Sequence, residues 1–422
     1  MVKVFLYSRS IVSNVLTLIL SLCLCLALFE AAVRFKPVLL PISYRITLPV
    51  QGIELFNGKA LEGVPIEGIP IPFITSSLYT GTKVFANKPP SDLQALGMVK
   101  PSQNPDFKNY PNIMIKTDEL GFPNDKIPDN ADVLFLGDSF CVAAAVENPD
   151  GLQRTLADAS GLSIYNLGVS ATGAVHQEWI LRNIGLTRFN PKAVLWFIFP
   201  ANDFADAGAV FEHKKRGIKT YKDLYKDFPY PALYSIGAVR ELLKDKTKRE
   251  ALPPLLLNKT TPMWFYPEYL KELAKTKEEL QKNAGVQTTL DSITRVWDEL
   301  KKRGIKLIIV YVPSKEQVYL PHVEENAEKV YAAANFINSD ELTQTADAFY
   351  DKAVKNRQNA EEIISAFVKT AGISYISMTP YLEQLAAQGI NAYLSADTHW
   401  TPIGQNSALT AMLNELMEKG KE

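Results

Sequence analysis

The sequence has few cysteines, and their positions exclude an internal disulfide in most of the chain. Of three cysteines in 422 residues, Cys23 and Cys25 lie in an apolar N-terminal run, so only Cys141 remains elsewhere. The chain also lacks an excess of either charge, since 45 Lys and Arg against 46 Asp and Glu give a net charge of −1. That balance gives no electrostatic reason to expect nucleic acid as a partner.

One long hydrophobic run is present, from Ser10 to Phe29, and it carries no charge. Twenty residues of helix span about 30 Å, the thickness of the hydrocarbon core of a bilayer. The exit from the run, Ala27-Leu28-Phe29-Glu30, offers no small-x-small cleavage site. We therefore predict an N-terminal membrane anchor over residues 1–36. A cleaved signal peptide and a buried soluble helix are the alternatives.

The charges beside this run favour one orientation. Lys3 and Arg9 precede it, and Arg34 and Lys36 follow it. A short cationic N-terminus favours the cytoplasmic side, which places the large domain outside the cytoplasm. We expect a single-pass membrane protein with its large domain outside the cytoplasm.

Proline marks the next boundary, because eleven of the 26 prolines lie between positions 37 and 111. Proline at that density prevents long helices and central strands, so residues 37–128 are interpreted as a lead-in segment. The main domain is predicted over 129–422. An insertion is expected at about 204–303, because that stretch is longer than a normal crossover connection.

Residues 129–422 alternate between short apolar runs and helical patterns. A helical example is 286–300, where apolar residues recur at spacings of three and four. This alternation predicts an α/β fold with a parallel sheet covered on both faces. Five runs are predicted to be its strands: 132–136, 164–167, 193–199, 306–312 and 373–376.

A candidate nucleophile follows the first of these strands, in Gly137-Asp138-Ser139. Ser139 needs a base, and His399 is the only one of four histidines with a carboxylate beside it in a tight aromatic-flanked turn. Asp397, two positions earlier, could orient that imidazole. Asp138 is interpreted as a structural acid that holds the serine turn.

An acyl-transfer site also needs oxyanion donors, and two later strand ends supply candidates. Gly168 follows the second strand, and Asn202 follows the third. We predict an oxyanion hole of Ser139, Gly168 and Asn202. The alternatives are a turn serine, a strand-end turn at Asn202, and a metal site at Asp397 and His399, for which spacing supplies no third ligand.

These blocks resemble the SGNH (GDSL-like) hydrolases over roughly residues 130 to 412. Several phrases are similar to membrane-anchored bacterial SGNH proteins: TDELGFPN (117–124), LFLGDSF (134–140), YNLGVSATG (165–173) and DTHWTPIG (397–404). Two departures stand out. Pro200 replaces the usual glycine of Gly-x-Asn-Asp, and one residue rather than two separates the acid from the histidine, as in alginate and exopolysaccharide O-acetylation proteins.

The resemblance implies a three-layer α/β/α sandwich with a five-stranded parallel sheet, and a Ser139–His399–Asp397 triad. It implies no metal and no organic cofactor. The first hypothesis is an O-acetyltransferase or acetylesterase of a cell-surface polysaccharide, with a membrane protein as acyl donor. The second is a lipase- or thioesterase-like hydrolase of lipid or small esters. The third is a non-catalytic SGNH module that binds glycan, for which Pro200 is the best argument.

Overall fold

The computed structural model of the protein describes residues 2–35, 84–87, 92–106, 113–142, 151–170, 172–217, 251–323, 327–336 and 342–418. The strands are β1 (Val84–Asn87), β2 (Ile113–Lys116), β3 (Val133–Leu136), β4 (Ile164–Asn166), β5 (Ala193–Ile198), β6 (Leu255–Leu257), β7 (Thr261–Met263), β8 (Lys306–Tyr311) and β9 (Ser374–Ser377).

The helices of the N-terminal half are α1 (Val2–Phe35), α2 (Asp92–Ala95), α3 (Ser139–Val142), α4 (Leu152–Ser160), α5 (Ala174–Ile180), α6 (Leu186–Arg188) and α7 (Pro200–Lys215). Those of the C-terminal half are α8 (Pro267–Leu273), α9 (Lys277–Gln281), α10 (Ala284–Lys302), α11 (Lys315–Tyr319), α12 (Ala327–Ala334), α13 (Ala346–Asn356), α14 (Asn359–Ala371), α15 (Thr379–Ala387) and α16 (Pro402–Glu418).

The main sheet contains five parallel strands in the order β4-β3-β5-β8-β9. The register aligns Val133 of β3 with Ile164 on one side and Ala193 on the other. The five apolar runs predicted from the sequence are these five strands, so that prediction is confirmed. Because all five strands are parallel, their carboxyl ends lie at one edge, where the loops of open α/β sheets carry ligand sites.

Helices cover both faces of this sheet, and alternate residues of each strand feed two separate cores. One core joins strand residues to α4, α11, α15 and α16; its members include Phe135, Phe197, Val310, Leu156, Val318, Leu382 and Met412. The other joins them to α5, α10 and α14; its members include Leu134, Trp196, Ile309, Ile180, Ile293, Val296 and Ile364. This period-two alternation produces the three-layer α/β/α sandwich.

At the N-terminus, α1 is long and apolar enough to cross a membrane. Residues Asn14–Ala32 form a candidate span of 19 residues with a mean hydropathy of 2.4. Its side chains are not covered by the rest of the protein, as shown by Leu18, which is 69% exposed, and Leu20, which is 62% exposed. An exposed apolar helix of this length is compatible with a membrane span or a signal sequence.

The lead-in segment contains a small two-stranded ribbon and a contact with the main sheet. β1 and β2 pair with each other as an antiparallel ribbon. Further on, Asn124 forms a double hydrogen bond with the backbone of Asn166 at the end of β4, donating at 3.0 Å and accepting at 2.9 Å. The boundary predicted at 128/129 stays a prediction. Residues 36–83 lie outside the described part.

The predicted insertion at 204–303 begins inside α7 and ends just beyond α10. These two helices pack closely against each other, because a Cβ on Gly285 of α10 would lie only 1.8 Å from the carbonyl oxygen of Phe204 in α7. Between them lie the β6–β7 hairpin, α8 and α9, together with residues 218–250 outside the described part. Both ends of the stretch thus belong to the helical layers of the sandwich.

Candidate active site

The serine turn is set by its two preceding residues. Gly137 ends β3 where a Cβ would lie 2.8 Å from Cβ of Phe197 on the neighbouring strand, so a side chain has no room there. Asp138 then accepts a hydrogen bond from the backbone N–H of Phe140 at 3.0 Å, which stabilises the start of α3. This contact is the one expected of an acid that holds the serine turn, and the structural role of Asp138 stays a prediction. Ser139 is left half-buried at the first position of α3.

The acid–histidine pair lies in a tight loop that closes on itself just before α16. Tyr393 and Trp400 form an isolated antiparallel β-bridge across the loop. Next to it, the backbone N–H of Leu394 donates a hydrogen bond to the carbonyl of His399 at 2.9 Å. Inside the loop, the Oδ1 of Asp397 accepts the backbone N–H of His399 at 2.9 Å. This short-range turn is one that aspartate favours, and it places the two side chains together.

The loop meets the serine turn through a continuous chain of contacts. His399 Nε2 lies 2.8 Å from Ser139 Oγ, and His399 Nδ1 lies 2.6 Å from Asp397 Oδ1. A carboxylate only accepts hydrogen bonds, so Nδ1 carries the proton and Nε2 of the neutral ring is left to accept the Ser139 hydroxyl. The structure therefore brings together the three residues proposed as a triad, across 260 positions of sequence.

Carboxylates set the charge state of this imidazole. Burial alone lowers the pKa of His399, but Asp397, Asp92 and Asp138 outweigh burial and raise it above the ordinary value of 6.5. Burial likewise works to raise the pKa of Asp397, yet the His399 imidazolium and its hydrogen bonds hold that pKa below its usual range. The imidazolium form of His399 is thus strongly stabilised.

Phe140 fixes the position of the imidazole from the other side. Its ring centroid lies 5.3 Å from that of His399 and 4.9 Å from that of Trp400. Phe199, at the end of β5, packs on Phe140 at 4.5 Å. Ring contacts at these separations are favourable, and they leave the imidazole few alternative rotamers. Consistent with this packing, the His399 side chain is only 17% exposed.

The amide of Gly168 is placed differently from our expectation. Its N–H donates to Asn166 Oδ1 at 2.8 Å, within the turn that ends β4. The same Asn166 side chain also donates to the carbonyl of Cys141 in α3 at 2.7 Å. The Gly168 N–H is therefore already hydrogen-bonded within the turn and is not a free oxyanion donor in this conformation. Through these two hydrogen bonds, the Asn166 side chain connects the turn after β4 to α3.

Asn202 and Pro200 occupy the first turn of α7, which follows β5. Pro200 stands at the first helical position, where its missing N–H costs no hydrogen bond. The departure from glycine is therefore compatible with the strand end. Asn202 lies beside Asp138, and its Oδ1 has no hydrogen-bond partner among the described residues. Its side-chain amide donates toward the Asp138 carboxylate, which places this amide beside the serine turn.

Three residues that contact the acid–histidine loop were missed by the sequence analysis. They are Asp92, Asp106 and Lys315. Lys315 lies four residues beyond the end of β8. Ser139 was predicted because it is a polar residue that follows a parallel strand, and the same pattern could have identified Lys315. Asp92 and Asp106 lie in the lead-in segment, 305 and 290 positions from their partners. Nothing local marks them.

Asp92 also provides the third ligand that a metal site would need. Ligand atoms of Asp92, Asp397 and His399 lie within 4.8 Å of one another. Each carboxylate is already engaged, however, since Asp92 accepts the Thr398 hydroxyl and Asp397 accepts the His399 ring. Binding an ion through Nδ1 would break the bond to Asp397, so internal hydrogen bonds explain this cluster without a cation.

The fold and the geometry of this site resemble those of SGNH-type serine hydrolases. Residues 259–422 match the model of the family described as "SGNH hydrolase-like domain, acetyltransferase AlgX". The match contains Asp397 and His399 and confirms the resemblance to the SGNH hydrolases found in the sequence. No curated protein matches the chain.

Solved structures similar to the chain include three enzymes of this kind. The first is a member of the lipolytic protein G-D-S-L family from Veillonella parvula, with 10% identity, a TM-score of 0.36, and coverage of 68% of this chain and 97% of that one. The acetyl xylan esterase AlAXEase shows 11% identity, a TM-score of 0.33, and coverage of 67% and 98%. A phospholipase A1 from Streptomyces albidoflavus shows 11% identity, a TM-score of 0.37, and coverage of 68% and 99%.

Proposed function

We propose that Ser139, His399 and Asp397 form a catalytic triad that transfers an acyl group through an acyl-enzyme. The observation that carries this proposal is the contact chain from Ser139 Oγ to His399 Nε2 at 2.8 Å, and from His399 Nδ1 to Asp397 at 2.6 Å. Both distances are those of a base that is ready to accept a proton and of an acid that orients it.

In the first half-reaction, His399 Nε2 accepts the Ser139 proton while Oγ attacks the carbonyl carbon of an ester. The Oγ–C bond forms, and collapse of the tetrahedral intermediate breaks the bond to the leaving alcohol, which takes its proton from His399. In the second half-reaction, water or a sugar hydroxyl gives its proton to His399 and attacks the acyl carbon. Collapse of this second intermediate breaks the Oγ–C bond, and His399 returns the proton to Ser139 Oγ. Asp397 stabilises the imidazolium in both halves.

The oxyanion of each tetrahedral intermediate needs donors near the serine turn. We assign the backbone N–H of Ser139, at the start of α3, and the side-chain amide of Asn202, beside Asp138. Gly168 can contribute its N–H only by leaving Asn166 Oδ1, to which it now donates. Asn202 likewise contributes its amide N–H by turning from Asp138 to the substrate oxygen.

The acyl group and its acceptor follow from the family. We propose an acetyl group, transferred to or removed from a hydroxyl of a cell-surface polysaccharide, because the matched family model is described as an acetyltransferase. A membrane protein would supply the acyl donor. The N-terminal helix α1 supports this arrangement, since its apolar span would hold the catalytic domain at a membrane surface.

Labelling with a fluorophosphonate tests the triad. The full-length protein in detergent should be labelled, and Ser139→Ala should not. Ser170→Ala, which alters a second serine at a strand end, is the matched control and should retain labelling. Absence of labelling in the wild-type protein would favour the non-catalytic binding module.

The substrate is tested in two steps. Activated esters of increasing acyl length should be hydrolysed only when the acyl group is short, and preference for long chains would favour the lipase-like reading. Oligosaccharide acceptors are then added with the preferred ester, and acetylated sugar is measured by mass spectrometry. Acetylated oligosaccharide indicates a transferase. Release of acetate alone, even at high acceptor concentration, indicates an esterase.

For localisation, we propose a single pass through a bacterial inner membrane with the catalytic domain outside the cytoplasm. C-terminal fusions to alkaline phosphatase and to green fluorescent protein test this, because the first is active only outside the cytoplasm and the second fluoresces inside it. Phosphatase activity without fluorescence is expected. The opposite pattern would place the domain in the cytoplasm.

A further inference from the structure

The acid–histidine loop is held by a residue more than 300 positions upstream. The backbone N–H of Asp92, the first residue of α2, donates to Asp397 Oδ2 at 3.0 Å. Its carboxylate Oδ2 accepts the hydroxyl of Thr398 at 2.6 Å. One residue of the lead-in segment thus holds two consecutive residues of the loop, including the proposed catalytic acid.

Asp106 contacts the two preceding residues of the same loop. Its Oδ1 accepts the N–H of Ser395 at 3.0 Å, and its Oδ2 accepts the N–H of Ala396 at 2.8 Å. Together, Asp92 and Asp106 hold the four consecutive positions 395 to 398. Because hydrogen bonds to buried carboxylates are strong and directional, this segment fixes the path of the loop.

The two acids differ in their relation to the imidazole. Asp92 acts electrostatically on His399 and raises its pKa, second among the neighbouring carboxylates after Asp397, whereas the Asp106 carboxylate binds the backbone of Ser395 and Ala396. Burial and the neighbouring Asp397 raise the pKa of Asp92 itself to about 7. A neutral side chain could accept the Thr398 hydroxyl without that cost, so the charge at position 92 requires a reason beyond loop packing.

We infer that Asp92 is a positioning residue for the triad: its N–H fixes Asp397, its carboxylate fixes Thr398, and its negative charge stabilises the imidazolium of His399. The inference rests on the proposed function and extends it to the lead-in segment. The hydrogen bonds of Asp92 to the loop go to Asp397 and Thr398, not to Ser139 or the imidazole. Asp92 therefore acts on the imidazole through these two residues and through its electric field.

The charged groups around His399 come from several elements. Asp397 lies on its own loop, Asp92 on α2 and Asp138 on the turn between β3 and α3. Lys315 of α11 acts on Asp92 and Asp397 from beneath the loop. Changing Asp92 alone leaves Asp397, Asp138 and Lys315 in place, so a change in the titration of His399 can be assigned to position 92.

The test uses Asp92→Asn, which keeps the shape and the backbone N–H but removes the charge. The rate of fluorophosphonate labelling of the full-length protein is measured against pH. We expect the acidic limb of this profile to move to lower pH by about one unit, because the pKa of the imidazolium falls when a nearby negative charge is lost. The plateau rate should also fall, by roughly three- to tenfold.

Two comparisons separate this role from loop packing. Asp106→Asn removes a charge from the same loop and should lower the plateau rate while moving the limb less than Asp92→Asn does. Asp158→Asn, on an exposed carboxylate paired with Arg154, should change neither. A limb in Asp92→Asn that coincides with the wild-type limb would overturn the inference, whatever happens to the plateau.

A second variant and a second readout keep the test independent of folding and of activity. Thr398→Val removes the hydroxyl that donates to Asp92, and loss of this hydrogen bond favours the neutral form of the Asp92 carboxyl. The acidic limb should therefore move to lower pH, by less than it does in Asp92→Asn. The pKa of His399 is also measured by NMR, with His399→Gln identifying its signal. An inactive wild-type protein would defeat the proposed function, whereas an unchanged imidazole pKa in both variants would defeat the role of Asp92.

Discussion

The Nζ of Lys315 donates to the backbone carbonyl of Asp397 at 2.8 Å, from beneath the loop that carries the proposed catalytic acid. It also lies 3.3 Å from the carbonyl oxygens of Leu394 and Ser395. An ammonium group has three donors, and each has a partner here. Burial lowers the pKa of Lys315, while Glu316 and Asp92 work in the opposite direction. The loop is thus built around a buried amine.

Replacing this amine should damage both stability and activity. Lys315→Met fills a similar volume but removes the lysine donor from the buried carbonyls of Leu394 and Asp397, while the Ser395 carbonyl keeps the N–H of Trp264, so we expect the free energy of unfolding to fall by about 3 kcal/mol. The rate should fall as well, because Asp397 moves with its backbone. Chemical denaturation and ester hydrolysis measure the two effects. Lys192→Met, at a side chain 79% exposed, is the control and should alter neither.

Loss of the acid should affect the rate more than the binding of substrate. Asp397→Asn removes the charge that stabilises the imidazolium and selects the tautomer of His399, so kcat should fall by about 10⁴-fold. KM should change little, because Asp397 is buried beneath the imidazole. Steady-state kinetics with an activated acetyl ester measure both constants. A loss below tenfold would indicate that Asp397 does not orient the base.

The pH dependence of the wild-type enzyme follows from the charges around His399. Only the neutral imidazole can accept the Ser139 proton, and Asp397, Asp92 and Asp138 raise the pKa of its protonated form above 6.5. Activity should therefore rise with pH, with the midpoint of its acidic limb above 6.5, and should fall about tenfold per pH unit below that midpoint. A profile of kcat/KM measures this, and a midpoint at or below 6.5 would contradict the proposed electrostatics.

The sequence was most informative where local pattern determines structure. The five strands are apolar runs bounded by turns, and each short polar block of the site follows a strand or precedes the last helix, so periodicity and strand-end chemistry were sufficient to find Ser139, Asp397 and His399. The use of the Gly168 N–H was not predictable, because it depends on the rotamer of Asn166 two residues earlier.

The contacts that Asp92 and Asp106 make with the loop could not be predicted from the sequence, for another reason. Asp92 and Asp106 lie in a proline-rich stretch with no periodic pattern, and they contact residues of the loop that are 305 and 289 positions away in the sequence. A carboxylate in such a stretch is ordinarily a solvated surface group. Only three-dimensional proximity distinguishes these two acids from the other acids of the chain.

The crossing of α7 and α10 offers a matched pair of glycine substitutions. At Gly285, a Cβ would lie 1.8 Å from the backbone carbonyl oxygen of Phe204, so Gly285→Ala must push the helices apart. At Gly208, across the same crossing, the nearest atoms would lie at 3.6 Å, an ordinary contact.

We expect Gly285→Ala to lower the free energy of unfolding by about 1–3 kcal/mol. Gly208→Ala should be neutral or stabilise by up to about 1 kcal/mol, because alanine favours a helix. Denaturant unfolding of both variants measures the difference, and equal stabilities would mean that α7 and α10 are not in close contact.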